Sequence, residues 1–188
     1  VKYNWSPLEE VKWLEKIDAI IESRLGVKMI IHTTSYARAQ IILSRSQFRE
    51  FMITHESGQA QAAVQQFKSS PDPVILVSPT VIEGYDFPGD ECRVQIIAKL
   101  GFPDTRGRIN TKRAEKVGKA GGMALMAQDL VQKVGRAMRS KDDWCETFIV
   151  DGQWTWARTQ TAPLLPRYFR LACCERVFPG PAPNFSPE

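Results

Sequence analysis

The octet Gln132-Lys133-Val134-Gly135-Arg136-Ala137-Met138-Arg139 holds the groups in this chain best suited to handling an anion. On a helix, Gln132, Arg136 and Arg139 fall at i, i+4 and i+7 and project from one face. Two guanidiniums and an amide on one stripe make poor core material, but they suit the spreading negative charge of a transferring phosphoryl group. A solvated face laced with salt bridges is the plainer alternative. Gly135, inside the octet, would let another surface approach closely.

A second cluster, Ser78-Pro79-Thr80-Val81-Ile82-Glu83-Gly84-Tyr85-Asp86-Phe87, follows an apolar β-branched run. It sets hydroxyls, two carboxylates and a permissive Gly within a few residues. Hydroxyls and nearby N–H groups can hold a phosphate, and a carboxylate can take a ribose hydroxyl or steady an arginine. A helix cap with a tight turn accounts for the same residues equally well. A third group, Thr33-Thr34-Ser35, is either a phosphate grip at a helix start or ordinary capping. His32 and His55 are isolated in sequence and read as structural or surface residues.

The net charge of +4 is unevenly spread. Between Lys99 and Lys119, seven basic residues stand against Asp104 and Glu115, while the remainder of the chain is slightly acidic. Either this stretch draws a polyanion, with Lys112 and Arg113 at its centre, or it is a solvated loop. Cys92, Cys145, Cys173 and Cys174 have no metal-ligand spacing, and no apolar run is long enough to span a bilayer, so a reducing, cytoplasmic or nucleoid-associated setting is expected.

These groups need a scaffold with loops that converge. Ser6-Pro7-Leu8-Glu9 is a capping box with Pro at the first helical position, and Trp13, Ile17, Ile20 and Ile21 continue at helical spacing to Gly26. Apolar runs at Val27–His32, Phe51–Thr54, Val74–Ser78, Cys92–Leu100 and Glu146–Val150 predict strands. Helical patterns at 36–43, 59–68 and 124–139 alternate with them. This alternation predicts an α/β fold, a parallel sheet sandwiched between helices, with ligands at the carboxyl ends of the strands. Residues 99–122 break the pattern and predict a long irregular excursion. A last helix is expected near Pro163–Cys174, then a poorly ordered Pro-rich tail.

The series Met29–Tyr36, then Glu83-Gly84-x-Asp86-Phe87, then Lys99-Leu100-Gly101-Phe102-Pro103-Asp104, then Q-x-x-G-R-x-x-R running into Ser140–Trp144, resembles the carboxy-terminal motor domain of XPD/DinG-type superfamily 2 DNA helicases. The resemblance covers roughly Val27 to Asp151. It implies a RecA-like fold, a helicase C-terminal domain over residues 1–176 and a tail over 177–188. In the family's terms Arg136 and Arg139 are arginine fingers completing an interdomain ATP site, and Gln132 positions nucleotide or attacking water. Gly84 and Asp86 contact nucleotide or couple the site to DNA, and Glu83 organises the arginines. Thr33, Thr34, Ser35 and Thr80 match positions that grip single-stranded DNA, along which the family translocates 5′ to 3′. Pro usually stands where this chain has Gly101.

No G-x-x-x-x-G-K-[ST] phosphate cradle occurs, and no D-E-A-H-like element to hold a metal. Phosphoryl transfer needs a cradle, a metal site and a finger, so ATP and Mg2+ are expected to bind mainly on a first RecA-like domain of the same polypeptide. This chain by itself is expected to turn nothing over. An iron–sulfur cluster, which many XPD-like proteins carry in that other half, finds no support in the cysteine spacing here. Three alternatives stay open: a nucleic-acid-binding module of the same fold without ATPase activity, a nucleotide-switched interaction domain, and RNA as the track.

Overall fold

Three short, mainly apolar runs, each buried along its whole length, form the middle of the molecule. The computed structural model describes residues 6–80, 84–104, 108–138, 143–174 and 178–182, with only the backbone of Arg113 and Ala114. Five strands, β1 (Met29–His32), β2 (Met52–Ile53), β3 (Ile75–Ser78), β4 (Val94–Ile97) and β5 (Glu146–Ile149), pair in the order β2-β3-β1-β4-β5, every pair parallel. The continuous apolar runs follow from this arrangement, because both faces of a parallel sheet are covered.

One face packs against α1 (Pro7–Ser23) and α2 (Tyr36–Arg45). Trp13, Ile17, Ile20 and Ile21 meet Met29, Ile31, Val77 and Ile96 there, and Trp13 Nε1 donates to Ala98 O at 2.8 Å. The expected capping box is present: the Ser6 hydroxyl accepts from Glu9 N, and the Glu9 carboxylate from Ser6 N. The opposite face meets α3 (Ala60–Ser69), α4 (Arg108–Gly135), α5 (Trp154–Thr161) and α6 (Arg167–Ala172), through Phe67 and Phe87 near Leu76 and through Met126 and Leu130 near Ile97. A sheet between two helical layers is the predicted α/β architecture.

Three local expectations are corrected. Residues 108–117 are helical rather than an irregular excursion, since Arg, Lys, Ala and Glu in that run are good helix formers, and the break comes at Gly118, whose φ of 66° leaves the helical region. The helix expected at 124–139 stops at Gly135, and Arg136 and Ala137 form a turn. The late helix expected near 163–174 is the shorter α6, which starts after Pro166, and α5, over 154–161, is a further helix that the sequence pattern did not mark. Of the Pro-rich tail, residues 178–182 are described and tethered. Buried Arg24 pairs bidentately with Glu146 and donates to the carbonyls of Pro179, Gly180 and Pro181.

Among the described residues, no helix is long and apolar enough to cross a membrane.

Candidate functional site

β1 and β4 are neighbours whose outgoing connections run to opposite sides, toward β2 and toward β5. Such a switch point opens a crevice at the carboxyl ends of the strands. Thr33–Ser35, Thr80 and residues 98–104 lie at this end, directly after β1, β3 and β4. The Gly84–Phe87 loop and the last turn of α4 lie instead toward the amino-terminal end of the sheet, where Lys28, just before β1, donates to Phe67 O and Lys68 O and Lys68 reaches Asp86 O.

The tightest junction joins the Gly84–Phe87 loop to the end of α4. Phe87 is fully buried edge-on against Phe67, ring centroids 5.8 Å apart, and its N–H donates to Arg136 O at 3.0 Å. Arg136 Nη1 lies 3.2 Å from Asp86 Oδ1, while Lys68 Nζ donates to Asp86 O. Gly84 has a φ of 80°, a left-handed turn that presents Asp86 toward the arginine. The ion pair is half exposed and worth at most about 1 kcal/mol, so its main effect is to aim a guanidinium that still reaches solvent.

Because α4 ends at Gly135, Arg136 does not continue the helical face of Gln132. It leaves in a turn, its N–H bonded to Lys133 O at 3.1 Å. Gln132 is exposed on the last turn of α4. Arg139 and Glu83 lie outside the described residues, as do the side chain of Arg113 and the sequence between Arg139 and Asp142. Lys112 is exposed on the first part of α4.

The three hydroxyls after β1 are not equivalent. Thr33 is fully buried, its N–H on Ser78 O and its hydroxyl donating to Ser35 O at 3.3 Å, so it holds the loop and does not face solvent. Ser35 caps α2 by accepting from Arg38 N, and Thr34 is exposed, as is Thr80. Thr80 N donates to the Ser78 hydroxyl at 3.1 Å.

Beneath these loops runs a polar layer that no local motif marks. His32 Nε2 donates to Gln95 Oε1 at 2.9 Å, and Gln95 Nε2 donates to Val134 O at 3.2 Å, fastening β1 and β4 to the last turn of α4. Burial, reinforced by the Lys133 cation, holds the His32 pKa down to about 4, so the ring is neutral at physiological pH. His55 donates from Nδ1 to Glu56 O, which leaves Nε2 to accept the Ser78 hydroxyl at 2.6 Å. Lys133 is buried and paired with Asp129 at 2.7 Å. Asp151 accepts from Leu100 N at 2.9 Å and pairs with Lys99 at 2.8 Å, fixing the start of the Lys99–Asp104 strip. A Cβ on Gly101 would fall 2.2 Å from Asp129 Oδ2, so glycine leaves room for this carboxylate.

Among the described residues no cluster of three His, Cys, Asp or Glu side chains could hold a metal ion. The guanidinium of Arg136 is partly exposed beside Asp86.

The family model for the helicase C-terminal domain matches residues 20–169. No curated protein sequence matches the chain. Among solved structures, one described as apo XPD superposes with a TM-score of 0.62 at 15% identity, over 86% of this chain and 36% of that one. Another, described as an XPD helicase, gives 0.60 at 14% identity, over 87% of this chain and 32% of that one. The chain therefore spans about a third of the length of the XPD chains it resembles. With its five parallel strands between two helical layers, the chain belongs to the helicase C-terminal domain family and has the RecA-like fold of XPD.

Proposed function

We propose that this domain is the second motor half of an ATP-dependent DNA helicase, offering Arg136 to a nucleotide bound by a first RecA-like domain of the same polypeptide. The observation that carries the reading is the double fastening of Arg136. Its carbonyl is held by Phe87 N and its guanidinium by Asp86, just past the end of α4. A cation fixed in place before the reaction stabilises charge that develops on a transferring phosphoryl group without having to reorganise.

Bound ATP with Mg2+ would bring the phosphoryl group and its charge-neutralising metal. The chain's own residues would do the rest. Arg136 meets the phosphates, Asp86 keeps its guanidinium aimed, and Gln132, exposed one turn earlier, orients nucleotide or water. Arg139 is the second finger in this reading, and Glu83 an organiser of the pair. Thr34, Ser35 and Thr80 grip the backbone of single-stranded DNA, with Thr33 as the buried support of that loop. Lys112 and Arg113 add phosphate attraction nearby. Translocation runs 5′ to 3′, as in the resembling helicases, and DNA repair is the matching cellular use. The domain by itself is inactive, because a phosphate cradle is missing from its sequence.

The test is ATP hydrolysis by the full-length protein with and without single-stranded DNA. Strong stimulation is expected. Turnover indifferent to DNA would replace the motor with a nucleic-acid-binding module of the same fold.

A further inference from the structure

Beside the Thr33–Ser35 loop, an open groove of about 600 Å3 runs between α2 and the segment after β2. That volume lies within the usual range for a small-molecule or nucleobase site. Tyr36, the first residue of α2, forms one wall and is partly exposed. His55 stands perpendicular to it, ring centroids 5.8 Å apart, and an edge-on contact of this kind cannot cover both faces of the tyrosine ring. His55 is itself immobilised at both nitrogens, by Glu56 O and by the Ser78 hydroxyl, so Tyr36 is backed by a rigid support.

The chemistry of the lining is selective. None of the described residues around the groove is Lys or Arg, and Glu56 would repel a phosphate. The floor near Leu43 is apolar, while Gln40, Glu56 and Gln59 set amide and carboxylate groups around the rim. An aromatic wall, an apolar floor and a hydrogen-bonding rim without a cation suit a flat heteroaromatic ring with polar edges. The exposed hydroxyl of Thr34, two residues before Tyr36, lies where a sugar–phosphate backbone would pass.

From these features we infer that the groove receives one unstacked base of the single strand, stacked on Tyr36, while the hydroxyls of Thr34 and Ser35 hold the adjoining phosphate. The inference rests on the proposed grip on single-stranded nucleic acid and adds a base-binding subsite to it. Stacking on an aromatic side chain is tolerant of sequence, because every base has a π-face, so the subsite anchors a strand without selecting its sequence.

The experiment measures binding of the full-length protein to labelled oligo-dT and to an oligonucleotide of equal length made wholly of abasic residues. Wild type is expected to prefer oligo-dT, and Tyr36→Ala to lose roughly tenfold on oligo-dT while binding the abasic strand as before. Tyr36→Phe, which keeps the ring, should retain the preference. Unchanged affinity of Tyr36→Ala for oligo-dT, or an equal loss on both strands, overturns the subsite while leaving the backbone grip intact. Failure of wild type to bind either strand overturns the grip itself, and the subsite with it.

Discussion

His32 is where a single residue makes the sharpest prediction. Its folded pKa of about 4 lies below the ordinary value of 6.5, so between those limits the unfolded chain binds more protons than the folded one. Stability is therefore full above pH 6.5 and falls as the solution is acidified toward pH 4, by an amount on the order of 3 kcal/mol. Urea unfolding at pH 7 and pH 4.5 should show the fall, and His32→Gln should flatten that part of the profile; an unchanged slope in the variant assigns the dependence to other groups. Gly84 makes a second prediction. Open space surrounds it, so Gly84→Ala meets no clash and pays only for a φ of 80°, about 1–2 kcal/mol of stability. Loss well beyond that would mean the turn does more than present Asp86. The arginine of this site is legible from sequence because Q-x-x-G-R-x-x-R is local. His32 is not: the ring's role comes from Gln95, 63 residues away in the chain, and a lone histidine carries no sign of such a partner.

At the scale of elements, the end of α4 governs the site. Periodicity places Arg136 on a continuing helical stripe, yet the helix stops one residue earlier, because Phe87 N takes the Arg136 carbonyl and buries Phe87 under the turn. That competition is between segments about 50 residues apart and leaves no local mark. The charged run before it misleads in the opposite sense, since helix-forming residues around Lys112 outweigh the glycines that suggest a loop. Strands read more faithfully, because an apolar run such as Met29–His32 needs only to be covered on both faces to be a buried strand. Within α4, buried Lys133 depends on Asp129, and Gly101 leaves room for that pair. Gly101→Ala should push Asp129 away and cost roughly 2 kcal/mol or more, read as a lowered unfolding midpoint. A variant as stable as wild type would show that Asp129 swings aside without giving up Lys133.

For the whole molecule, charge and completeness decide what the domain does. Its only strong basic field lies between Lys99 and Lys119. If that field lies along the strand's path, reversing Lys112 and Arg113 to Glu should reduce the slope of log affinity against log salt by about 0.7 for each phosphate no longer neutralised. An unchanged slope removes the field from the path. In the proposed reading the domain supplies one half of a nucleotide site, and the Arg136 turn is the part most exposed to test. ATP hydrolysis by the full-length protein in saturating single-stranded DNA, beside its Arg136→Ala variant, addresses that turn directly. A drop in turnover of roughly a thousandfold, with ATP still bound, is the predicted result; a variant that hydrolyses ATP at the wild-type rate would contradict the assignment of Arg136 as the finger.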